Sequence, residues 1–249
     1  VVGLATAFYG VAFAAVQTDM KRLLAYSSIE NIGIVLAGLG LALTFHAYDM
    51  ELLAALALVA TLYHCLNHAL FKSLLFLATG SVMHATRHRS LGKLGGLIRH
   101  MPWVAGLALV GTLAIAGLPP LNGFVSEWLL FQAFLLTPGL PNSYLNMFIP
   151  VAAAALALAV ALAGYVMVKF YGIVFLGLPR EESLESAHDA GPYERAGLIW
   201  LALWCVLLGV TPVYVVQLMD PLTHGLVGGA LGESVQRAGW LFPTPVAPE

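Results

Sequence analysis

Three ionisable side chains follow one another along an apolar stretch of the sequence. His64, His68 and Lys72 are spaced four residues apart within LYHCLNHALFKSLLFLATGS, residues 62–81, so on a helix they share one face over roughly 12 Å. Groups that exchange protons near neutral pH, and that a bridging water can connect, are the components of a proton relay. The sequence leaves two other roles open: histidines that only pack and hydrogen-bond, and a His pair that binds a metal.

Two glutamates also lie inside apolar stretches, where an uncompensated charge is costly. Glu30 lies in AYSSIENIGIVLAGLGLAL and Glu127 lies in GFVSEWLL. We predict that each is a counter-ion for a lysine or a relay carboxylate, although Glu30 is also close enough to a membrane surface to reach the headgroups. Lys169, in GYVMVKFYGIVFLG, is explained equally well by transport and by snorkelling to the membrane surface.

The elements that must hold these residues are predicted to be membrane-spanning helices. Hydrophobic residues make up 60% of the 249 and charged residues only 10%, with a mean hydropathy of +0.87, whereas a soluble domain carries about a quarter charged residues. Because a helix needs about 20 apolar residues to cross a bilayer, we predict an all-α integral membrane protein, a polytopic bundle of about six spans. The predicted spans are 1–16, 25–45, 52–82, 102–136, 149–177 and 194–217.

The fourth predicted span contains a double proline. It is too long for one straight crossing, and each of its halves is too short to cross alone. Pro119 and Pro120 remove two backbone donors, so we predict a broken helix there, shortly before Glu127. Broken helices at membrane depth are tolerated where protein or water covers the freed backbone, and they often mark ion pathways. The alternative is a hairpin turn at one membrane surface, which would invert every later span.

Basic residues are concentrated in alternate loops. The loops near 46–51 and 137–148 contain no Lys or Arg. The positive-inside rule therefore places the loops that do contain Lys and Arg in the cytoplasm. Asp19, Lys21 and Arg22 in the first basic loop are predicted to set the topology, with a part in proton transfer as the alternative. The predicted cytoplasmic loops are 17–24, 83–101 and 178–193.

The sequence offers no residues for redox or covalent chemistry. Cys65 and Cys205 lie far apart in apolar runs and suit helix packing. Without a Cys/His cluster, no iron–sulfur, haem or zinc site is predicted, and we expect no cofactor in this chain. The net charge of −2 gives no footprint for nucleic acid, and no hydrolase or phosphate-binding motif is found.

Three stretches, in this order, resemble the antiporter-like membrane subunits of the respiratory complex I superfamily. That superfamily includes the Mrp-type sodium/proton antiporters and the membrane arms of energy-converting hydrogenases. The stretches are QTDMKRLLAYSSIENIG, LYHCLNHALFKSLLFLATGSV and GLPPLNGFVSEWLL, and the SSIEN wording is most similar to the branch of hydrogenase-4 component B and formate hydrogenlyase subunit 3. The chain begins apolar and without Met, VVGLATAFYG, so we expect a piece of a longer protein rather than a signal peptide.

The resemblance implies a domain organisation. It covers residues 1–178, which would form the second of two inverted five-helix repeats, truncated at its N-terminus. Beyond the resemblance, the apolar pattern predicts a cytoplasmic loop and a further span in 179–217. The Gly-rich and Pro-rich residues 218–249 predict a loop and a short interfacial tail on the non-cytoplasmic side, with a weak extra helix as an alternative. The Glu–Lys couple of the first repeat has no counterpart in this sequence, so the chain would hold half of a pathway.

The resemblance also implies roles for individual residues in proton transfer along a central hydrophilic axis. Lys72 corresponds to the lysine of the HALFK motif, and His64 and His68 are the histidines that accompany it. Glu127 corresponds to the outer terminal group beyond the broken helix. Asp19 and Lys21 match a polar pair that is also implicated in transfer.

Three functions follow from this reading. The first is a proton-translocating subunit of a membrane-bound oxidoreductase, of the group 4 hydrogenase, formate hydrogenlyase or complex I-like type, whose redox centres lie on hydrophilic partner subunits beyond other membrane subunits. The second is a subunit of an Mrp-type sodium/proton antiporter, and the third a membrane scaffold whose polar face never titrates. For all three we expect a multi-pass protein of a bacterial or archaeal cell membrane.

Overall fold

The structure is a computed structural model that describes residues 1–136 and 140–241. In these two ranges the chain forms nine α-helices, and three short 3-10 helices lie in the connecting loops. The α-helices are α1 (Val2–Val16), α2 (Met20–Ala47), α3 (Glu51–Thr86), α4 (Pro102–Ile115), α5 (Asn122–Leu135), α6 (Ser143–Phe175), α7 (Pro192–Val210), α8 (Pro212–Val227) and α9 (Gly232–Ala238).

The predicted all-α membrane bundle is confirmed. Of the helices in the described part of the chain, α2, α3, α6 and α7 are long and apolar enough to cross a membrane, and α1 and α4 are shorter apolar helices. Continuous apolar sequence drives this arrangement, because in lipid only a helix satisfies every backbone hydrogen bond within its own segment.

Helix α3 is the central element of the bundle. It packs against α2, α4, α5, α7 and α8, and the run from Leu53 to Ala60 is buried at every position. Small alanines alternate with leucines in this run, which lets neighbouring helices approach closely. Polar side chains on α3 therefore face protein on several sides instead of lipid.

The double proline separates two short helices that together make one crossing. Helix α4 ends at Ile115 and α5 begins at Asn122, and 14 residues each correspond to about 21 Å, less than a bilayer core. The backbone N–H of Trp103, at the start of α4, donates to Asp189. Helix α5 ends only a few residues before α6, which then runs about 50 Å and ends where Leu176 O accepts from Gly96 N.

The start of α4 and the end of α6 thus lie at the same end of the bundle, and the end of α5 lies at the other. The hairpin alternative for 102–136 does not fit this geometry, because a hairpin would return the chain to the end where it started.

The three loops predicted to be cytoplasmic meet at that same end. Asp19 and Ser90 form an isolated antiparallel bridge, and Arg180 Nη1 donates to Leu91 O and Leu94 O, each at 2.9 Å. These contacts give the three loops one common surface, as a shared side of the membrane requires.

Two helix boundaries differ from the predicted spans. Helix α6 begins at Ser143, earlier than the predicted 149, because the Asn142 side chain caps it by accepting from Tyr144 N and Leu145 N, and Pro150 is accommodated inside the helix. The predicted sixth span, 194–217, is divided at Thr211, since Pro212 starts a new helix, α8. The predicted tail, 218–249, contains the end of α8 and all of α9, and its residues 242–249, like 137–139 of the predicted loop 137–148, lie outside the described residues.

The α7–α8 junction is tied directly to the central helix. Pro212 has no N–H, so the carbonyl of Leu208 lacks the donor that would continue α7. The Tyr63 hydroxyl donates to that carbonyl. The hydrogen bond fixes α3 against the C-terminal part of the bundle.

Candidate functional site

The buried face of α3 meets α2 and α5 at His64. Nδ1 of His64 lies 3.1 Å from Ser126 Oγ on α5, and Nε2 lies 3.1 Å from Asn31 Oδ1 on α2. The histidine is 1% exposed, so both ring nitrogens depend on these two protein partners. His64 therefore joins three helices through polar contacts inside the protein.

Two turns further along α3, Lys72 is buried opposite Glu30. Lys72 Nζ donates to Leu24 O on α2 at 2.9 Å, and Ser27 Oγ donates to Glu30 Oε2 at 3.3 Å. Lys72 and Glu30 are 5% and 1% exposed, and they lie close enough for their charges to attract each other. A carboxyl group and an amine thus share a buried site in which a single unpaired charge would be costly.

Close packing of α1 on α2 holds Glu30 in place. A Cβ at Gly10 of α1 would overlap the backbone of Glu30, so only glycine permits this approach. Ala7 and Ala14 on the same face of α1 are also fully buried, as expected for a membrane interface built from small residues. This close contact fixes the backbone of Glu30 against α1.

Glu127 lies beside the helix break. It is 8% exposed, and its carboxylate lies so close to Gly117, in the turn after α4, that a Cβ there would overlap it. Gly117 has a φ of +64°, a left-handed conformation that glycine adopts without strain. The carboxylate makes no hydrogen bond in the described part of the chain, and the negative charge of Glu30 acts on it at longer range.

A group of neutral polar residues lies between His64 and the break. Asn67 Nδ2 donates to Asn122 O at 2.8 Å and to Ser126 Oγ at 3.1 Å. The side-chain oxygen of Asn67 and both side-chain polar atoms of Asn122 are buried without a hydrogen-bond partner among the described residues. Buried water typically binds at polar groups of this kind. We name Asn31, His64, Asn67, Asn122 and Ser126 the polar cluster.

His68 differs from the other two members of the predicted stripe. It is only partly buried, its ring packs edge-on against Phe71 with centroids 5.6 Å apart, and its Nε2 has no partner in the described residues. His68 is therefore less enclosed than His64 and Lys72, although it lies between them on the same face of α3.

The first basic loop holds Asp19 and Lys21 at the end of the bundle. Asp19 Oδ1 accepts from the backbone N–H groups of Lys21 and Arg22, as N-caps of helices do, and its Oδ2 lies 2.9 Å from Arg89 Nε. The Lys21 side chain is exposed. The structure therefore brings Glu30, His64 and Lys72 together in the interior but does not bring Asp19 and Lys21 into that group.

Lys169 on α6 binds the C-terminus of α1. Its Nζ donates to Ala15 O at 2.7 Å and to Gln17 O at 2.9 Å. A cation at the carbonyl end of a helix is favoured by the helix dipole and satisfies orphan carbonyls. These contacts favour a structural role over either transport or snorkelling.

Sequence reasoning missed the neutral members of the site. Asn31, Asn67 and Ser126 carry no charge and follow common helix spacings, so only their positions inside apolar runs could have identified them. In the described residues no group of three or more His, Cys, Asp or Glu is arranged to hold a metal ion.

The family of the chain follows from comparison with known proteins. Residues 1–139, more than half of the 249, match the family described as NADH:quinone oxidoreductase/Mrp antiporter, transmembrane region. The chain belongs to this family and is a multi-pass membrane protein. The resemblance identified from the three sequence motifs is confirmed.

Individual relatives are consistent with the hydrogenase branch. Formate hydrogenlyase subunit 3 of Escherichia coli (strain K12) is 43% identical over 220 residues, 88% of this chain and 36% of the relative. Hydrogenase-4 component B of the same organism is 34% identical over 250 residues, 99% of this chain and 37% of the relative. This chain therefore spans little more than a third of the length of these relatives.

A solved structure gives the same fold. It is the membrane-bound sulfane sulfur reductase, an archaeal respiratory membrane complex, and one of its chains matches with a TM-score of 0.74 and 31% identity over 88% of this chain and 33% of that chain.

Proposed function

We propose that this chain is a proton-translocating part of a membrane-bound oxidoreductase complex of the formate hydrogenlyase or hydrogenase-4 type. Electron transfer in partner subunits would drive proton movement through the site formed by Glu30, Lys72, the polar cluster and Glu127. This activity belongs to the assembled complex, because this chain spans only part of the length of its relatives.

The buried carboxyl of Glu30 and the buried amine of Lys72 are the observation that carries the proposal. A lysine at membrane depth costs about 2.5–3.5 kcal/mol even on insertion scales, and an apolar pair of similar volume would often be as stable or more stable. A structural role alone therefore gives little reason to keep these charges. Proton transfer gives such a reason, because both groups can gain or lose a proton when a charge moves nearby.

Electrostatic interaction supplies the coupling in this proposal. Unit charges about 8 Å apart interact by about 2 kcal/mol at an effective dielectric near 20, enough to change proton occupancy more than tenfold. Loading or unloading Lys72 changes the field at Glu30, and Glu30 in turn acts on Glu127. A charge change that arrives from a partner subunit can thus pass from group to group without large backbone motion.

The proposal places the redox centres elsewhere in the complex. The names of the two relatives, formate hydrogenlyase subunit 3 and hydrogenase-4 component B, describe each as one part of a larger assembly. The solved structure is a respiratory membrane complex. We propose that other membrane subunits contact this chain, that hydrophilic redox subunits bind beyond them, and that the complex resides in a bacterial or archaeal cell membrane.

Proton uptake by inverted membrane vesicles tests the proposal. In the assembled complex, Lys72→Ala and Glu127→Gln should abolish redox-driven proton uptake, while the complex still assembles. Lys93→Ala and Glu182→Gln are matched controls, because both side chains are exposed in loops, and both should pump at the wild-type rate. Wild-type pumping in both Lys72→Ala and Glu127→Gln would refute the proposal.

The family description also names Mrp antiporters, which supports a second candidate, a sodium/proton antiporter subunit. The same buried groups would then exchange protons against sodium without electron transfer. A pH change in vesicles that depends on sodium and persists without any electron donor would favour this function. Proton uptake that requires the electron donor and does not depend on sodium would exclude the antiporter function.

A further inference from the structure

The hydrogen bonds around His64 determine which of its nitrogens exchanges a proton. Asn31 Nδ2 donates to Ser27 O at 2.8 Å, which orients the amide. The reverse orientation would place two acceptor oxygens at that distance. Asn31 therefore presents its oxygen, an acceptor, to His64 Nε2 at 3.1 Å.

This orientation selects one tautomer of the neutral imidazole. An acceptor facing Nε2 requires an N–H there, because a bare nitrogen opposite the Asn31 oxygen would leave both buried acceptors without a donor. Nδ1 is then the unprotonated nitrogen, and it faces Ser126 Oγ at 3.1 Å.

The Ser126 hydroxyl has a partner in either of two orientations. Its oxygen accepts from Asn67 Nδ2 at 3.1 Å, and its hydrogen can point to His64 Nδ1 or to Gly123 O at 3.2 Å. With neutral His64 the hydroxyl donates to Nδ1. When Nδ1 carries a proton, Nδ1–H donates to Ser126 Oγ and the hydroxyl hydrogen turns to Gly123 O. Both states satisfy the ring without moving a heavy atom.

We infer that Ser126 is a hydroxyl switch through which His64 takes up and returns a proton at Nδ1 alone. A protonated water bound at the polar cluster gives its proton to Ser126 Oγ, where it stays as the hydroxyl hydrogen, while the former hydroxyl hydrogen moves to Nδ1. Release reverses these two transfers and returns the proton to water, and Nε2–H keeps its hydrogen bond to Asn31 Oδ1. The inference deepens the proposed function and rests on it for its physiological role.

His64 is in this scheme a charge holder beside the pathway, not a link through which protons pass to Lys72. An amide oxygen does not relay protons as water or a hydroxyl does, so the Asn31 side of the ring is closed. The charge held on the ring acts directly on His68, one turn along α3. His68 also interacts with Lys72, Lys72 interacts with Glu30, and Glu30 acts on Glu127. Ser126 is a positioning residue for this exchange.

Nitrogen-15 NMR of the wild-type complex tests the tautomer without any substitution at Ser126. The full-length subunit is labelled with ¹⁵N-histidine in its assembled complex, and the signal of His64 is the difference from the His64→Gln variant. The inference predicts that the neutral ring of His64 is protonated at Nε2. On acidification only the Nδ1 signal should change, because only Nδ1 takes up a proton. A neutral ring protonated at Nδ1 would overturn it.

Three variants separate the switch from ordinary packing. Ser126→Ala removes the hydroxyl, and we expect about tenfold slower redox-driven proton uptake, equivalent to about 1.4 kcal/mol, together with a shifted Nδ1 signal. Ser126→Thr keeps a hydroxyl and should restore the wild-type signal. Thr112→Val is the matched control, since Thr112 Oγ1 also donates to a carbonyl three residues back, Leu109 O at 2.8 Å, but contacts no histidine.

The outcomes distinguish this inference from the proposed function. Wild-type uptake and an unchanged Nδ1 signal in Ser126→Ala would overturn the switch. Equal losses in Ser126→Ala and Thr112→Val would also overturn it, because packing would then explain both. A wild-type complex that moves no protons would overturn the proposed function. The tautomer of His64 measured by NMR would still confirm or overturn the inference about Ser126.

Discussion

Gly117 provides a way to displace the Glu127 carboxylate without changing the glutamate. Gly117→Ala puts a methyl group where the carboxylate lies, next to the helix break. Gly177 is the matched control: its φ is +78°, but a Cβ there would meet nothing within 4 Å. Alanine at either position suffers similar backbone strain, and only Gly117→Ala disturbs Glu127.

The expected magnitudes separate the two effects. Alanine in a left-handed conformation costs about 1–2 kcal/mol, so both variants should lose comparable stability. In Gly117→Ala the carboxylate must also move by on the order of 1 Å to reach ordinary van der Waals contact. A misplacement of about 1 Å in a reacting group can slow a reaction about 10²-fold, so we expect proton uptake to fall about 10- to 100-fold in Gly117→Ala and less than about twofold in Gly177→Ala.

The assay is redox-driven proton uptake by inverted vesicles, normalised to the amount of assembled complex. Thermal unfolding of the purified complexes measures the strain that both variants share. Equal uptake by Gly117→Ala and Gly177→Ala, with equal losses of stability, would refute the reasoning, because the position of the Glu127 carboxylate would then not matter for transport.

Three further predictions concern the contacts that hold the site. Tyr63→Phe should lower stability to unfolding by about 1–3 kcal/mol, because Leu208 O would be buried without a donor; Pro212→Ala in the same chain supplies an N–H and should reduce that loss, as thermal unfolding of the single and double variants will show. Asp19→Ala should cost about 1 kcal/mol through the lost N-cap, whereas Asp19→Asn keeps the cap and should be nearly as stable as wild type; chemical unfolding distinguishes them, and equal losses would exclude capping as the cause. Lys169→Met should lower the midpoint of thermal unfolding, since Ala15 O and Gln17 O lose their donor, while proton uptake per assembled complex is retained; abolished uptake would instead assign Lys169 to transport.

The helical fold could be predicted because the strongest signals in this sequence are local. Apolar runs of membrane-spanning length predicted α2, α3 and α6, and Pro119–Pro120 lies where α4 and α5 are separated. The error at the predicted sixth span has a local cause as well. Thr211 and Pro212 lie within one apolar run, and hydropathy does not reveal that the proline starts a new helix.

The interior of the site was only partly predictable, because it depends on which helices pack together. The four-residue spacing of His64, His68 and Lys72 predicted a shared face, but not that His68 is less buried than the other two. The sequence predicted that Glu30 is a counter-ion for a lysine or a relay carboxylate, but not which lysine it faces. Its pairing with Lys72 depends on how α2 packs against α3. The roles in proton transfer assigned to these residues stay predictions.

Infrared difference spectroscopy of the assembled complex during turnover tests the central claim most directly. The account predicts a protonation change of the buried Glu30 carboxyl that appears with electron transfer, is absent in Glu30→Gln and is altered in Lys72→Ala. A complex that pumps protons at its full rate while the Glu30 carboxyl shows no change would contradict it.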